Sequence, residues 1–388
     1  MRLTDICDFQ GGSQPPKDEW LFEKQEGYIR MLQIRDFTQS EKVVPEYVKI
    51  SKSTKICQAD DILIARYGAS IGKILTGLSG AYNVAIMRAI PDTHMLQKKY
   101  LYYYLKSPYF QTAILNVGSR AAQAGFNKED LSKLEIKCPL LSEQDSIIDI
   151  LQKVESIIGK RKKELIFLDE LVKARFVEMF GTLHDNENGF DIVTIEDVCS
   201  LIKDGTHQTP QYTEDKKEGY KFLSSKDVMS QKVDWTNIKY IPAELHEKLY
   251  ATIKPQRNDI LMSKNGVNYG VAAVNDTDEV FDIYVSLALL RPKKIIDPVF
   301  LKCVINNPET KWQFDSSIKG IGVPNLHLGE IKKTRMFLPP IELQNQFADF
   351  VRAIDKSKVS LYYKNRKGGF PPLLFIYSVT TIINLSDY

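Results

Sequence analysis

SEQDSIIDILQKVESIIGKRKKELIFLDELVKARFVEMF, running from Ser142 to Phe180, is the stretch that decides the fold. From Ile147 the positions Leu151, Val154, Ile158, Arg161, Leu165, Leu168, Val172, Arg175 and Met179 alternate by four and three, and only the two arginines break the apolar character. That spacing is a heptad seam, which keeps one apolar line along one side of a helix. Ser142 with Asp145 predicts an N-terminal cap, no proline interrupts the run, and Gly181 predicts the stop. At about 1.5 Å per residue the helix would be about 58 Å long, far more than a domain core requires. Such a seam needs a partner helix, and Arg161 and Arg175 on it are placed to fix pairing register.

Outward from this helix the chain repeats itself. Tyr100-Leu101, Ser107-Pro108 and Pro139-Leu140 recur 200 positions later as Phe300-Leu301, Asn307-Pro308 and Pro339-Pro340. Gln144, Ile147, Leu151 and Val154 keep that offset as Gln344, Phe347, Val351 and Ile354. Upstream the offset drifts to 198, where Asp61-Ile62-Leu63 meets Asp259-Ile260-Leu261 and Gly68 and Gly72 meet Gly266 and Gly270, and then to 192, where Gly27-Tyr28 meets Gly219-Tyr220. Matches in constant order with a drifting offset mean duplication followed by loop insertion. The partner for the seam is therefore the second copy of the same helix, starting near Glu342, with Phe347, Val351 and Ile354 on its apolar line. The fold class expected is α/β (mixed α+β): two homologous bodies separated by long helices that pair as an antiparallel coiled coil. The boundaries read as a first body over 1–141, a spacer helix over 142–183, a second body over 184–341, a shorter helix over 342–366 and an atypical tail over 367–388.

Composition fits that plan. A chain of 388 residues with 43% hydrophobic and 26% charged residues is long enough for two cores and too apolar to be a disordered tail. Five scattered cysteines form none of the close pairs that a zinc site or a disulfide scaffold requires, so no metal is expected and a reducing, cytoplasmic setting is. No apolar run reaches about 18 residues and no signal peptide opens the chain, so no membrane partner is expected. The net charge of +3 is too small to announce a polyanionic partner by itself.

In this order the features resemble the specificity subunits of type I restriction-modification systems, over most of the chain up to about residue 360. The residues that carry the likeness are Gly205-Thr206-His207-Gln208-Thr209-Pro210, the Asp-Ile-Leu strand of each half, and the runs Pro-Leu-Leu-Ser-Glu-Gln at 139–144 and Pro-Pro-Ile-Glu-Leu-Gln at 339–344, each opening a heptad helix. The resemblance implies two target-recognition domains that each read half of a bipartite double-stranded DNA target. It implies two modification subunits docked on the helices, restriction subunits joining them, and S-adenosylmethionine bound in the modification subunits and not by this chain.

Readers of two different half-sites should differ where a shared scaffold meets base edges, because base-edge contacts specify and phosphate contacts position. One such place is Gly11-Gly12-Ser13-Gln14-Pro15-Pro16 against Gly205 to Pro210, which offers Gln14, His207 and Gln208. The other is Arg66-Tyr67-Gly68-Ala69-Ser70-Ile71-Gly72-Lys73 against Lys264-Asn265-Gly266-Val267-Asn268-Tyr269-Gly270, which offers Arg66, Tyr67, Lys73, Lys264, Asn265 and Asn268. Arg30, Arg35, Lys221 and Lys226, with Arg120 and its loose counterpart Lys319, form a recurring set of cations suited to the phosphate backbone. For each of these side chains the plainer reading is a solvated turn or surface charge, and residues alone leave both open.

Nothing points to catalysis. Ser107-Pro108-Tyr109 and Asn307-Pro308-Glu309 lack the second proline of an adenine methyltransferase motif, and there is neither a Walker A sequence nor a His-Glu-x-x-His. Other readings stay open: a restriction-methylation enzyme fragment, an assembly protein with duplicated ends, or a silent copy that donates recognition domains by recombination. The last is suggested by the second helix, where Lys358 stands in the place of Ile158 and Lys367-Gly368-Gly369-Phe370-Pro371-Pro372 ends any helix.

Overall fold

The structure, a computed structural model, describes residues 1–118, 125–318 and 324–363. It divides into two units, Met1–Lys162 and Lys163–Leu361, and the division falls inside the long helix. The first unit runs α1 (Leu3–Ile6), β1 (Cys7–Gly11), β2 (Tyr28–Leu32), α2 (Ile34–Thr38), β3 (Glu46–Lys49), β4 (Ile56–Cys57), β5 (Ile62–Ala65), β6 (Ile74–Leu75), β7 (Gly80–Tyr82), β8 (Ile86–Pro91), α3 (Lys98–Leu105), α4 (Pro108–Gly118), α5 (Lys128–Leu131) and the start of α6 (Leu141–Phe180). Its strands form two sheets, ordered β1-β8-β5-β6 and β3-β2-β7-β4. The first is antiparallel throughout; in the second, β2 and β7 run parallel.

The short run Ile-Leu-Ile-Ala of β5 has no polar side because both its faces are covered. Ile62 and Ile64 enter the core built with α1, α3, α4, α5 and α6, while Leu63 and Ala65 enter a second core with Leu32, Tyr82 and Ile86. A strand buried on two sides reads as a continuous apolar run instead of an alternation.

The second unit repeats the plan. After β9 (Asp191–Thr194) come α7 (Ile195–Val198), β10 (Cys199–Asp204), β11 (Tyr220–Leu223), β12 (Lys239–Ile241), α8 (Ala243–Tyr250), β13 (Ile260–Ser263), β14 (Ala272–Val274), β15 (Phe281–Ile283), β16 (Leu287–Pro292), α9 (Pro298–Ile305), α10 (Pro308–Ser317), α11 (Leu328–Lys333), β17 (Arg335–Leu338) and α12 (Ile341–Tyr363). The sheet β10-β16-β13-β14 matches the first sheet of the first unit strand for strand, the sheet β12-β11-β15 repeats β3-β2-β7 with its parallel pair β11–β15 but has no strand in the place of β4, and β9 pairs with β17. Again β13 serves two cores, Ile260 and Met262 facing one and Leu261 the other.

Within the second unit α6 and α12 pack antiparallel. The rings of Phe176 and Phe180 meet Phe347 at 5.5 and 5.4 Å, Arg175 lies 5.9 Å from the ring of Phe350, and further along Asp169 pairs with Lys358. Lys358 thus replaces an apolar seam residue because a carboxylate stands opposite. Of the expected seam residues, Phe347, Val351 and Ile354 are buried and Val172 and Met179 pack against the core of the second unit, whereas Leu151 is buried and Ile147 packs in the core of the first unit; Val154, Ile158, Leu165 and Leu168 are half-buried. Three further residues the heptad count passes over, Ile148, Phe176 and Phe180, are also buried. A straight helix of about 3.6 residues per turn drifts by about 20° per heptad, so over about four heptads the buried stripe moves nearly one position along, to Phe176 and Phe180.

The ends of α6 differ from expectation at one end only. The expected Ser142–Asp145 cap is not what starts the helix: it begins at Leu141, where Leu140 N–H donates to Glu143 Oε2 at 2.9 Å and Ser142 already lies in the first turn. At the other end Gly181 adopts φ +72° and donates its N–H to Val177 O at 2.8 Å, the left-handed stop that glycine provides at least cost. Among the described residues no helix is long and apolar enough to cross a membrane, and no group of three metal-binding side chains gathers. The tail expected from 367 lies outside the described residues.

Candidate nucleic-acid interface

Each unit builds the same edge from two turns. After β1, Gly12 donates its N–H to Ile86 O at 3.1 Å and Ser13 to Tyr82 O at 3.0 Å; after β10, Gly205 donates to Leu287 O at 3.2 Å and Thr206 to Ile283 O at 3.1 Å. A Cβ on Gly12 would lie 2.1 Å from Asn83 O and one on Gly205 2.0 Å from Ile283 O, so only glycine allows the approach. This pairing sets Gly11 on Asp204, Ser13 on Thr206 and Gln14 on His207. Gln14 and Gln208 are exposed, and His207 is 75% exposed.

The second turn follows β5 and β13. Gly68 and Gly72 adopt φ +70° and +80°, and Gly266 and Gly270 +84° and +88°, so both glycine pairs hold the left-handed turns that bring the intervening residues outward. Those residues differ between units: exposed Ala69 in one, and exposed Val267 and Asn268 in the other. Val267, 84% exposed, carries no signal in the sequence, because an apolar residue between two glycines does not disclose which way it points. Tyr67 is 39% exposed and Lys73 exposed, while Asn265 bridges to Asn325 with its Oδ1 buried and unpartnered.

The structure brings the two turns of each unit together. An ideal Cβ on Gly11 lies 3.5 Å from Arg66 Nη1, and at the equivalent place Asp204 Oδ2 lies 2.7 Å from Lys264 Nζ. Arg66 donates Nε–H to Phe126 O at 3.2 Å and Nη1–H to Val84 O at 3.4 Å, and stacks 5.0 Å from the ring of Tyr67. Lys264, expected on an open reading edge, is instead 4% exposed and its ammonium is tied to Asp204. Burial pushes the Asp204 carboxyl up, yet the hydrogen bond and charge of Lys264 outweigh it and hold the carboxyl below its ordinary range. Asp204 also lies 3.3 Å from His207 Nε2. Nothing in the residue types flags Asp204; only its alignment with Gly11 does.

The four cations near β2 and β11 are equivalent in pairs, though by one position less than the sequence alignment has it. Leu32 pairs with Tyr82 and Leu223 with Ile283 in the parallel ladders, which places Arg30 on Lys221 and Arg35 on Lys226. All four have local partners: Arg30 with buried Asp36 at 2.7 Å, Arg35 with Glu46, Lys221 with Glu279, and Lys226 with Asn237 O at 3.0 Å. They are more firmly occupied than free phosphate-binding cations would be. Arg120 and Lys319 lie outside the described residues.

A family model described as the type I restriction modification DNA specificity domain matches residues 1–166 and again 187–366, one match per copy. The chain is 22% identical over 380 residues to the type I restriction enzyme MjaVIII specificity subunit of Methanocaldococcus jannaschii, over 92% of this chain and 85% of that protein. It is 20% identical over 398 residues to the MjaIX specificity subunit of the same organism, over 96% and 88%. In three dimensions it resembles a chain from a structure of type I R-M system assembly and conformational transition, with a TM-score of 0.55, 15% identity, and 99% and 96% of the two chains covered. A type I restriction-modification S subunit from M. genitalium gives a TM-score of 0.51 at 13% identity, over 99% and 93%. The structural likenesses concern the fold.

Proposed function

The chain belongs to the type I restriction-modification DNA specificity family, and from that membership we propose that its two units each read one half of a bipartite DNA target. The edge made by the turns after β1 and β5 reads one half, and the edge after β10 and β13 reads the other. The observation that carries the reading is one scaffold with two different fillings: glycines at identical left-handed positions enclose Ala69-Ser70-Ile71 in one unit and Val267-Asn268-Tyr269 in the other. A family of readers needs such a division, because backbone geometry must stay while base contacts change. Among the cations, Arg66 is better suited to DNA than Lys264, whose charge is already met by a carboxylate.

The chain supplies recognition, and the chemistry resides elsewhere. Modification subunits, with S-adenosylmethionine, dock along α6 and α12, and restriction subunits join them. The unread interval in the target is set by α6, which is unbroken over 40 residues and has no proline to bend it. The test is a base-resolution map of adenine methylation in a host genome with and without this gene. A two-part motif present only with the gene is expected; no gene-dependent motif, or a single continuous one, overturns the proposal.

A further inference from the structure

The two edges hold a cation at the same scaffold position and treat it in opposite ways. Arg66 and Lys264 each follow the central strand and donate backbone N–H to the equivalent carbonyls of Ala85 and Ser286, at 2.8 and 2.9 Å. Beside Lys264 stands Asp204, 2.7 Å from its ammonium. Beside Arg66 the equivalent residue is Gly11, with no side chain, and among the described residues no carboxylate pairs with Arg66. The guanidinium uses Nε and Nη1 on backbone carbonyls, which carry no net charge, so its full positive charge remains. Lys264, by contrast, is 4% exposed in a pair whose charges cancel, and His207 Nε2 lies 3.3 Å from the same carboxylate oxygen.

We infer that Asp204 is a counter-charge that withdraws Lys264 from DNA, so that of the two equivalent cations only Arg66 works on the nucleic acid. This rests on the DNA-reading function proposed above. The second unit then relies on its neutral and apolar edge residues, Asn268 and Val267, with exposed His207, while the first combines a fixed guanidinium with the open face of Tyr67. The halves differ in electrostatic grip as well as in the bases they contact. Each cation placed against the duplex adds about 0.9 to the slope of log affinity against log salt, whatever the sequence, so the difference is measurable without knowing the target.

The experiment uses the full chain with its modification subunits and a random-sequence duplex of roughly 40 base pairs as probe, with binding followed by fluorescence anisotropy over a salt series. Arg66→Met should flatten the slope by about one unit and weaken binding several-fold at fixed salt. Gly11→Asp, which copies the second unit's carboxylate into the first, should do the same while leaving Arg66 in place. The double variant Asp204→Leu with Lys264→Met removes both charges, strands neither, and should leave slope and affinity unchanged. A double variant that flattens the slope as much as Arg66→Met, or a Gly11→Asp variant that binds as the parent does, overturns the inference. Absence of any salt-dependent binding by the parent complex would instead remove the DNA reading itself, before any variant is compared.

Discussion

Gln144 and Gln344 occupy the same fully buried place in the two copies and make the same bonds. Each Oε1 accepts the backbone N–H that opens the following helix, Gln97 in one and Asp297 in the other, at 2.9 Å. Each Nε2 donates to the preceding proline carbonyl, Pro139 at 2.9 Å and Pro339 at 2.7 Å, and to a second carbonyl, Met95 at 2.7 Å and Ile295 at 3.1 Å. One amide thereby ties the start of a long helix to the start of α3 or α9, which explains why the Gln of the Pro-x-x-x-x-Gln runs recurs at a fixed offset.

Replacing either glutamine by leucine leaves one buried N–H and the proline carbonyl without partners, and at Gln344 the Ile295 carbonyl as well, while Met95 O keeps the Cys138 thiol as a donor, at about 1–3 kcal/mol for each group that water cannot reach. After partial relaxation, Gln144→Leu and Gln344→Leu should each cost about 2–4 kcal/mol, similar in the two copies. Urea denaturation of the full chain measures it. A loss below about 0.5 kcal/mol at either site would mean the amide is not the tie described.

The duplicated plan is legible in the sequence because its markers are residues with narrow roles: glycines at left-handed turns, apolar strands buried on two sides, a proline ahead of each long helix. The offset near β2 is misread by one residue because Gly27-Tyr28 and Gly219-Tyr220 lie at strand starts, where side chains place no demand on register; the ladder pairing of Leu32 and Leu223 decides it. Charge cancellation is the least legible feature. Lys264 looks like Arg66 in the sequence, and its partner Asp204 is 60 residues away. Phe176 and Phe180 escape a strict heptad count for the geometric reason given by helical drift.

Asn268 is exposed between Gly266 and Gly270, and the proposed reading gives its amide the paired donor and acceptor contact to an adenine edge. Asn268→Ala should relax one base of one half-site, with discrimination falling about tenfold, or about 1.4 kcal/mol, within the roughly 1–3 kcal/mol of a lost bidentate contact. The other half-site should stay as it was. Methylation mapping in cells carrying the variant reads both halves at once, and a motif unchanged in both would take this turn out of base reading.

Thiol chemistry gives a pH-dependent prediction. Burial pushes Cys7 and Cys199 each up to about 12 and Cys57 up to about 11. A raised value makes the reactive thiolate rarer at a given pH, on the order of one in ten thousand for Cys7 at a pH of about 8. Labelling with a disulfide reagent at that pH should therefore be slow at these three sites in the folded chain, faster as pH rises while the fold persists, and immediate after unfolding. Rapid native labelling of Cys7 or Cys199 under those conditions would contradict the packing around β1 and β10.

Two glycine-to-alanine substitutions should move stability in opposite directions. Gly159 lies inside α6 with open space for 4 Å around the place a methyl group would take. Gly159→Ala therefore adds helix propensity and removes unfolded-state freedom, a gain of about 0.5–1 kcal/mol. Gly205 has the carbonyl oxygen of Ile283 2.0 Å from where the methyl would sit, and that carbonyl is already bonded to Thr206 N–H. The backbone cannot yield there without parting the turn from β15, so Gly205→Ala should cost more than about 2 kcal/mol. It should also impair reading of only the second half-site, since the turn after β10 is one side of that edge. Thermal melts of both variants, with methylation mapping of Gly205→Ala, decide the matter. If Gly205→Ala melts with the parent, the close approach that aligns Asp204 with Gly11 is wrong, and the equivalence of the two edges falls with it.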